Sequence, residues 1–430
     1  MTVIDLGELR DEPGREEAPL PRPPRAVGRP LRVALALALV VATMAGAAPA
    51  PQRDPAVVPA SPGSEAFLSG DRLYVAGPAE GESAGTVEVR AYALPQRSTV
   101  DGRPAALWRA LVRTSGRISE SRAWPGVVLF TLADDQGVQS LALDAATGRE
   151  RWRQPGYPRW DRAGTLLLHT LGEDGGTVRL VDPASGRAIW STRTGPMHAM
   201  YDDRGGLMDR VVLFGARGRA EVRDVRSGEL LHARDLGLGE SFGSMQVMVA
   251  NGLLLVVQLD RDVLTAYGLD GLRQRWETSL PTAAHITDCG GVLCVNGENG
   301  GLRALDPATG AVRWTESRWA GVLHERGGRL LVVESGPLGQ RFVLLDAATG
   351  GVVAELGRWQ LIWGRDDDRS IAVRPAGAGG GLMVAELDAA GGGARVLDVL
   401  RDATGDCRRG VDALVCRQRS GAFGVWRYSG

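Results

Sequence analysis

Residues 302–314 read LRALDPATGAVRW, and residues 141–152 read LALDAATGRERW. The two share a frame of Ala, any residue, Asp, two residues, Thr-Gly, three residues and Trp. One copy places it at Ala142, Asp144, Thr147, Gly148 and Trp152, the other at Ala304, Asp306, Thr309, Gly310 and Trp314. Such recurrence constrains a fold more than composition does, because a unit too small to bury its own core must stack on copies of itself. Looser copies carry Asp182, Ser185, Gly186 and Trp190, then Asp224, Ser227, Gly228 and His232. A shortened one has Asp270, Gly271 and Trp276, and another has Asp346, Thr349 and Gly350 with Ala354 in the Trp position. The faintest runs from Asp388 through Gly391 and Gly392 to Val396, and an early copy with a longer turn ends at Trp108.

The eight end positions recur every 38 to 44 residues. Short alternating apolar runs broken by Gly, Asp and Pro lie between them, the pattern of short strands. A period of about 40 residues with four strands per unit predicts a β-propeller blade. The expectation is an all-β, eight-bladed propeller over residues 67–430. Two further strands, 412–418 and 422–428, are expected either to close the ring against N-terminal strands or to accompany an incomplete first unit. The frame reads as structural. Asp ends a third strand and accepts backbone N–H bonds in the turn, Thr or Ser repeats that bond locally, and Gly supplies a positive φ. Trp on the fourth strand buries a large face between blades while its indole N–H finds a carbonyl.

This frame resembles the tryptophan-docking motif of the PQQ-like propeller repeats, found in quinoprotein alcohol dehydrogenases and in the BamB-type outer-membrane assembly factors. The resemblance spans roughly residues 70–429. It implies the propeller and leaves function open, since one fold hosts enzymes and scaffolds alike. The dehydrogenases hold their quinone with an adjacent Cys-Cys disulfide, a Ca²⁺ site and an Asp base. This chain has no Cys-Cys pair and no C-x-x-C-H haem motif, so neither a cofactor nor catalytic residues are expected. A PQQ-dependent oxidoreductase with a degenerate site is the rival reading.

Residues 33–48, VALALALVVATMAGAA, form an uncharged apolar run that follows Arg22, Arg25, Arg29 and Arg32. The charge bias predicts a signal anchor over 31–50 with a cytoplasmic N-terminus. The Pro-rich residues 1–30 then form a disordered cytoplasmic tail, and 51–66 a stalk holding the propeller outside the cell membrane. A cleaved signal peptide ending near Ala48-Pro49-Ala50 is the alternative. The opening MTVIDLGEL is a candidate docking motif, which would suit a ligand-sensing receptor.

The four cysteines fall as Cys289 with Cys294 and Cys407 with Cys416, each across a short turn, and pairing within each hairpin is the simplest connectivity. His198, His285 and His324 fall in presumed inner strands and could face the central channel. Scattered histidines seldom form one site, so no metal is expected. Arg365-Asp366-Asp367-Asp368-Arg369 reads as a solvated turn before it reads as a Ca²⁺ loop. Arg408-Arg409 near a channel mouth reads as ordinary exposed charge before it reads as a seat for an acidic partner. Every basic residue is Arg and the formal net charge is −1, with no basic stretch interleaved with aromatics, which argues against nucleic acid. The expected role is a membrane-tethered scaffold that engages an envelope protein, or a small ligand in the channel.

Overall fold

A computed structural model describes residues 55–427 apart from several connecting stretches, among them 82–84, 95–103, 196–198, 239–244 and 363–368. Residues 1–54 lie outside the described residues, so the tail, the 31–50 anchor and the cleavage alternative are not placed. Among the described residues no helix is long and apolar enough to cross a membrane. The regular elements among the described residues are thirty-six strands in nine four-stranded antiparallel sheets. Eight sheets are contiguous in sequence, over residues 65–113, 117–155, 157–194, 199–235, 245–279, 283–316, 321–358 and 360–400, and are numbered blades 1 to 8.

The expected count of eight blades is therefore corrected to nine. The ninth contains Ala403–Arg409, Ala413–Gln418 and Phe423–Arg427, and its fourth strand is Ala56–Val58 from the other end of the chain. Ala56 pairs with Val425, Val57 with Gly424 and Val58 with Phe423. The error has a physical origin. In sequence a blade is marked by its turn and outer strand, and in the ninth that outer strand is three residues long and precedes blade 1. Of the two arrangements expected for the extra C-terminal strands, closure against the N-terminal segment is the one observed. Ala56 and Val58 are buried, so these three residues belong to the propeller rather than to the 51–66 stalk.

The core is distributed in nine apolar clusters, one at each blade-to-blade contact. Val127, Leu129, Ala142 and Trp152 of blade 2 meet Leu166, Leu168 and Val181 of blade 3. Phe423 and Val425 of blade 9 meet Leu73, Val75 and Tyr92 of blade 1, which closes the ring. Each sheet is thus buried on both faces, and its middle strands read as continuous apolar runs such as 127–130 and 253–257.

The repeat frame works across these contacts. Trp108 Nε1 donates to Ala145 O, Trp152 to Pro183 O, Trp190 to Val225 O, Trp276 to Pro307 O and Trp314 to Ala347 O, all at 2.8–3.0 Å. Each acceptor is the residue after the Asp of the following blade. The indole ring lies on the Gly of the same turn: a Cβ on Gly148 would sit 2.5 Å from Trp108, and one on Gly310 would sit 2.4 Å from Trp276.

Candidate functional site

The repeated aspartates serve the turns. Asp144 Oδ1 accepts the Ala146 and Thr147 amides and the Thr147 hydroxyl, and Asp346 Oδ1 accepts the matching groups of Ala348 and Thr349. Asp182 takes the Ser185 amide and hydroxyl. In the two complete copies the Arg before the Trp also reaches back, Arg151 to Asp144 Oδ2 and Arg313 to Asp306 Oδ2, through Nε and Nη2. The Arg151 guanidinium and the Thr147 hydroxyl pull Asp144 down to about 2. Arg313 does the same for Asp306 in direction, as the Thr349 hydroxyl does for Asp346 and Ser185 for Asp182. The Arg contribution went unread in sequence, although both copies spell Arg immediately before Trp.

The first strands of blades 1 and 2, 4 and 5, 5 and 6, and 9 and 1 approach one another, so first strands line the inside of the ring. His285 lies in the first strand of blade 6, Ala283–Asp288, and His324 in that of blade 7, Gly321–Arg326. His285 is exposed and His324 is half-buried; His198 lies outside the described residues. Among the described residues no group of three His, Cys, Asp or Glu could hold a metal ion. Of the acidic loop only Arg369 is described, and its Nε and Nη2 bind both oxygens of Glu386.

The two disulfides join the pairs read from sequence, Cys289–Cys294 and Cys407–Cys416. They do different work. Cys289–Cys294 spans the turn after the first strand of blade 6. Cys407–Cys416 fastens an irregularity in blade 9. There Gly405 pairs with Arg417 and Arg408 with Val415, so Asp406 and Cys407 together oppose Cys416 alone. This is a β-bulge, a device that re-aims side chains. Asp406 holds a left-handed φ of 47°, and the bond ties Cys407 to the residue it faces.

Beside that bulge, where blade 9 meets blade 1, lies a cleft of about 680 Å³. Ala60, Pro62 and Ala66 give it an apolar side, and Arg117, Arg408 and Arg417 give it charge. Arg417 is committed to structure: its Nε meets Asp406 at 3.2 Å, its Nη1 donates to Gly421 O, its Nη2 donates to Ser64 O, and its guanidinium lies 4.5 Å from the Phe423 ring centroid. Arg117 Nη2 meets Glu65 at 2.7 Å and remains highly exposed. Arg408 is exposed, and its side chain makes no hydrogen bond or ion pair among the described residues. Only Arg408 of this group was noted in the sequence. The others converge from residues 60 to 423, and only ring closure brings them together.

The sequence model of the family described as "Outer membrane protein assembly factor BamB" matches residues 97–242 and 174–366, together more than half of the chain. No curated protein has a significantly similar sequence. Similar solved structures include BamB from Moraxella catarrhalis, 14% identical with a TM-score of 0.40, over 88% of this chain and 97% of that one. The computationally designed Ika8 protein is 15% identical with a TM-score of 0.46, over 73% of this chain and 96% of its own. Saccharomyces cerevisiae Sqt1 is 11% identical with a TM-score of 0.43, over 71% and 93%.

Proposed function

Since this chain belongs to the PQQ-like propeller family described as outer membrane protein assembly factor BamB, we propose that it is a non-enzymatic binding module that engages another protein of the cell envelope. Family membership carries the reading, because that description names an assembly factor rather than an enzyme. The proposal places the propeller outside the cytoplasm, tethered through residues 31–50. Support comes from the Arg cluster before the apolar run and from the engagement of all four cysteines in disulfides, which persist in oxidising compartments.

The test is crosslinking in cells followed by co-purification, comparing the full chain with one lacking residues 2–20. The same envelope protein is expected from both. Recovery of a cytoplasmic protein only, lost with the tail, would replace the scaffold by a receptor. For the oxidoreductase rival, titration with PQQ and Ca²⁺ is expected to leave the tryptophan emission unchanged, and saturable quenching would establish a cofactor site. Mass spectrometry of unreduced peptides is expected to join 289 to 294 and 407 to 416; four free thiols would contradict the exterior placement.

A further inference from the structure

We propose that the cleft where blade 9 meets blade 1 binds a small ligand bearing an oxyanion, a carboxylate or phosphate, gripped by Arg408 with Arg117. The charge count points this way. Of the three guanidinium groups lining the cleft, Arg417 is neutralised by Asp406 and Arg117 by Glu65. Arg408 is left over, exposed, with no polar partner among the described residues. Its planar fork of donors matches the two oxygens of an oxyanion. Arg117 engages Glu65 through one nitrogen and keeps its remaining donors exposed.

The cleft is built rather than incidental. Arg408 is the residue after Cys407, and the disulfide to Cys416 fixes the bulge from which it projects. The left-handed Asp406 on the other side of Cys407 is a backbone state that L-residues avoid and that gathers at functional positions. The bond is not needed for pairing, since among the described residues the other blades form their first hairpins without a cross-link except blade 6. A volume of about 680 Å³ is that of a small-molecule pocket and exceeds what a bare ion requires. The apolar side formed by Ala60, Pro62 and Ala66 suits a ligand with a short hydrocarbon body. This site is independent of the scaffold reading, which stands or falls on the protein partner.

The test is calorimetric titration of the full oxidised chain at low salt with two probes, succinate and inorganic phosphate. Saturable binding of at least one is expected, and the probe that binds distinguishes carboxylate from phosphate. Arg408→Gln is expected to weaken it about ten-fold or more, the loss of one charge-assisted contact. Arg193→Gln, an exposed Arg on the outer strand of blade 3, is expected to leave it unchanged. Arg408 is exposed, so its variant is expected to melt with the parent, which separates binding from folding. Absence of saturable binding by either probe, undiminished binding in Arg408→Gln, or an equal loss in Arg193→Gln would each overturn the proposal.

Discussion

The glycine of each complete turn is held by two independent constraints. Gly186 has a φ of 69°, and a Cβ there would lie 2.7 Å from the Trp152 ring. Gly186→Ala should therefore cost about 1–2 kcal/mol for the left-handed backbone and about 1–3 kcal/mol for overpacking, read as a lower denaturation midpoint. A substitution at Gly421, also left-handed but with open space around it, should cost only the backbone part. The aspartates of the same turns make stability depend on acid. Asp144, Asp182, Asp306 and Asp346 are all held below the ordinary carboxylate value, so the folded chain binds fewer protons than the unfolded one near pH 3. Their contribution is fully present above about pH 4 and is lost as pH falls towards about 2. Asp288, raised by burial, opposes them. Urea midpoints measured from pH 6 to pH 2 should be level and then fall; a flat profile would refute this.

At the scale of the blade, the repeat frame is shared between two neighbours. Every blade that carries the docking Trp precedes a blade with an Asp-x-x-Thr/Ser-Gly turn, as Trp190 precedes Asp224 and Gly228. Blade 7 carries Ala354 in place of the Trp but still faces a left-handed glycine, Gly392, whereas blade 4 lacks both ring and seat. His232 precedes the short turn of Asp270, Gly271 and Leu272, and there Arg210 meets Asp270 at 2.8 Å instead. The strand Leu230–Asp235 consequently leaves all six residues exposed. Trp152→Ala should destabilise by about 3–5 kcal/mol. His232→Trp should bring no rise in melting temperature, because blade 5 offers its indole no glycine seat. The frame was legible in sequence because Asp, Gly and Trp each answer a local need. That Trp152 belongs with Gly186 rather than with Gly148 was not, since both lie at plausible distances along the chain and only stacking chooses between them.

For the whole ring, the decisive element is the smallest. Ala56–Val58 offers three residues among prolines, too little for any periodicity, and its partners lie more than 360 residues away. Sequence thus led to eight blades and a boundary at residue 67, whereas burial of Ala56 and Val58 requires the ninth blade to borrow them. A chain begun at residue 51 should melt as the parent does. One begun at residue 67 should melt at lower temperature and aggregate, because the Phe423–Arg427 edge would be left unpaired. Equal melting of the two would mean that closure does not depend on the borrowed strand. The cleft beside blade 9 was hidden for the same reason, its lining being drawn from both ends of the propeller.

That borrowed strand also makes the propeller a latched object. Tension on the chain ahead of residue 55 reaches the ring through three strand pairs, Ala56 to Val425, Val57 to Gly424 and Val58 to Phe423. Behind them, Arg417 clasps the Ser64 carbonyl as a second catch. A pull would therefore open the ring where its two ends join while the eight contiguous blades kept their sheets. The first mechanical event would be release of a short strand rather than the unravelling of a domain.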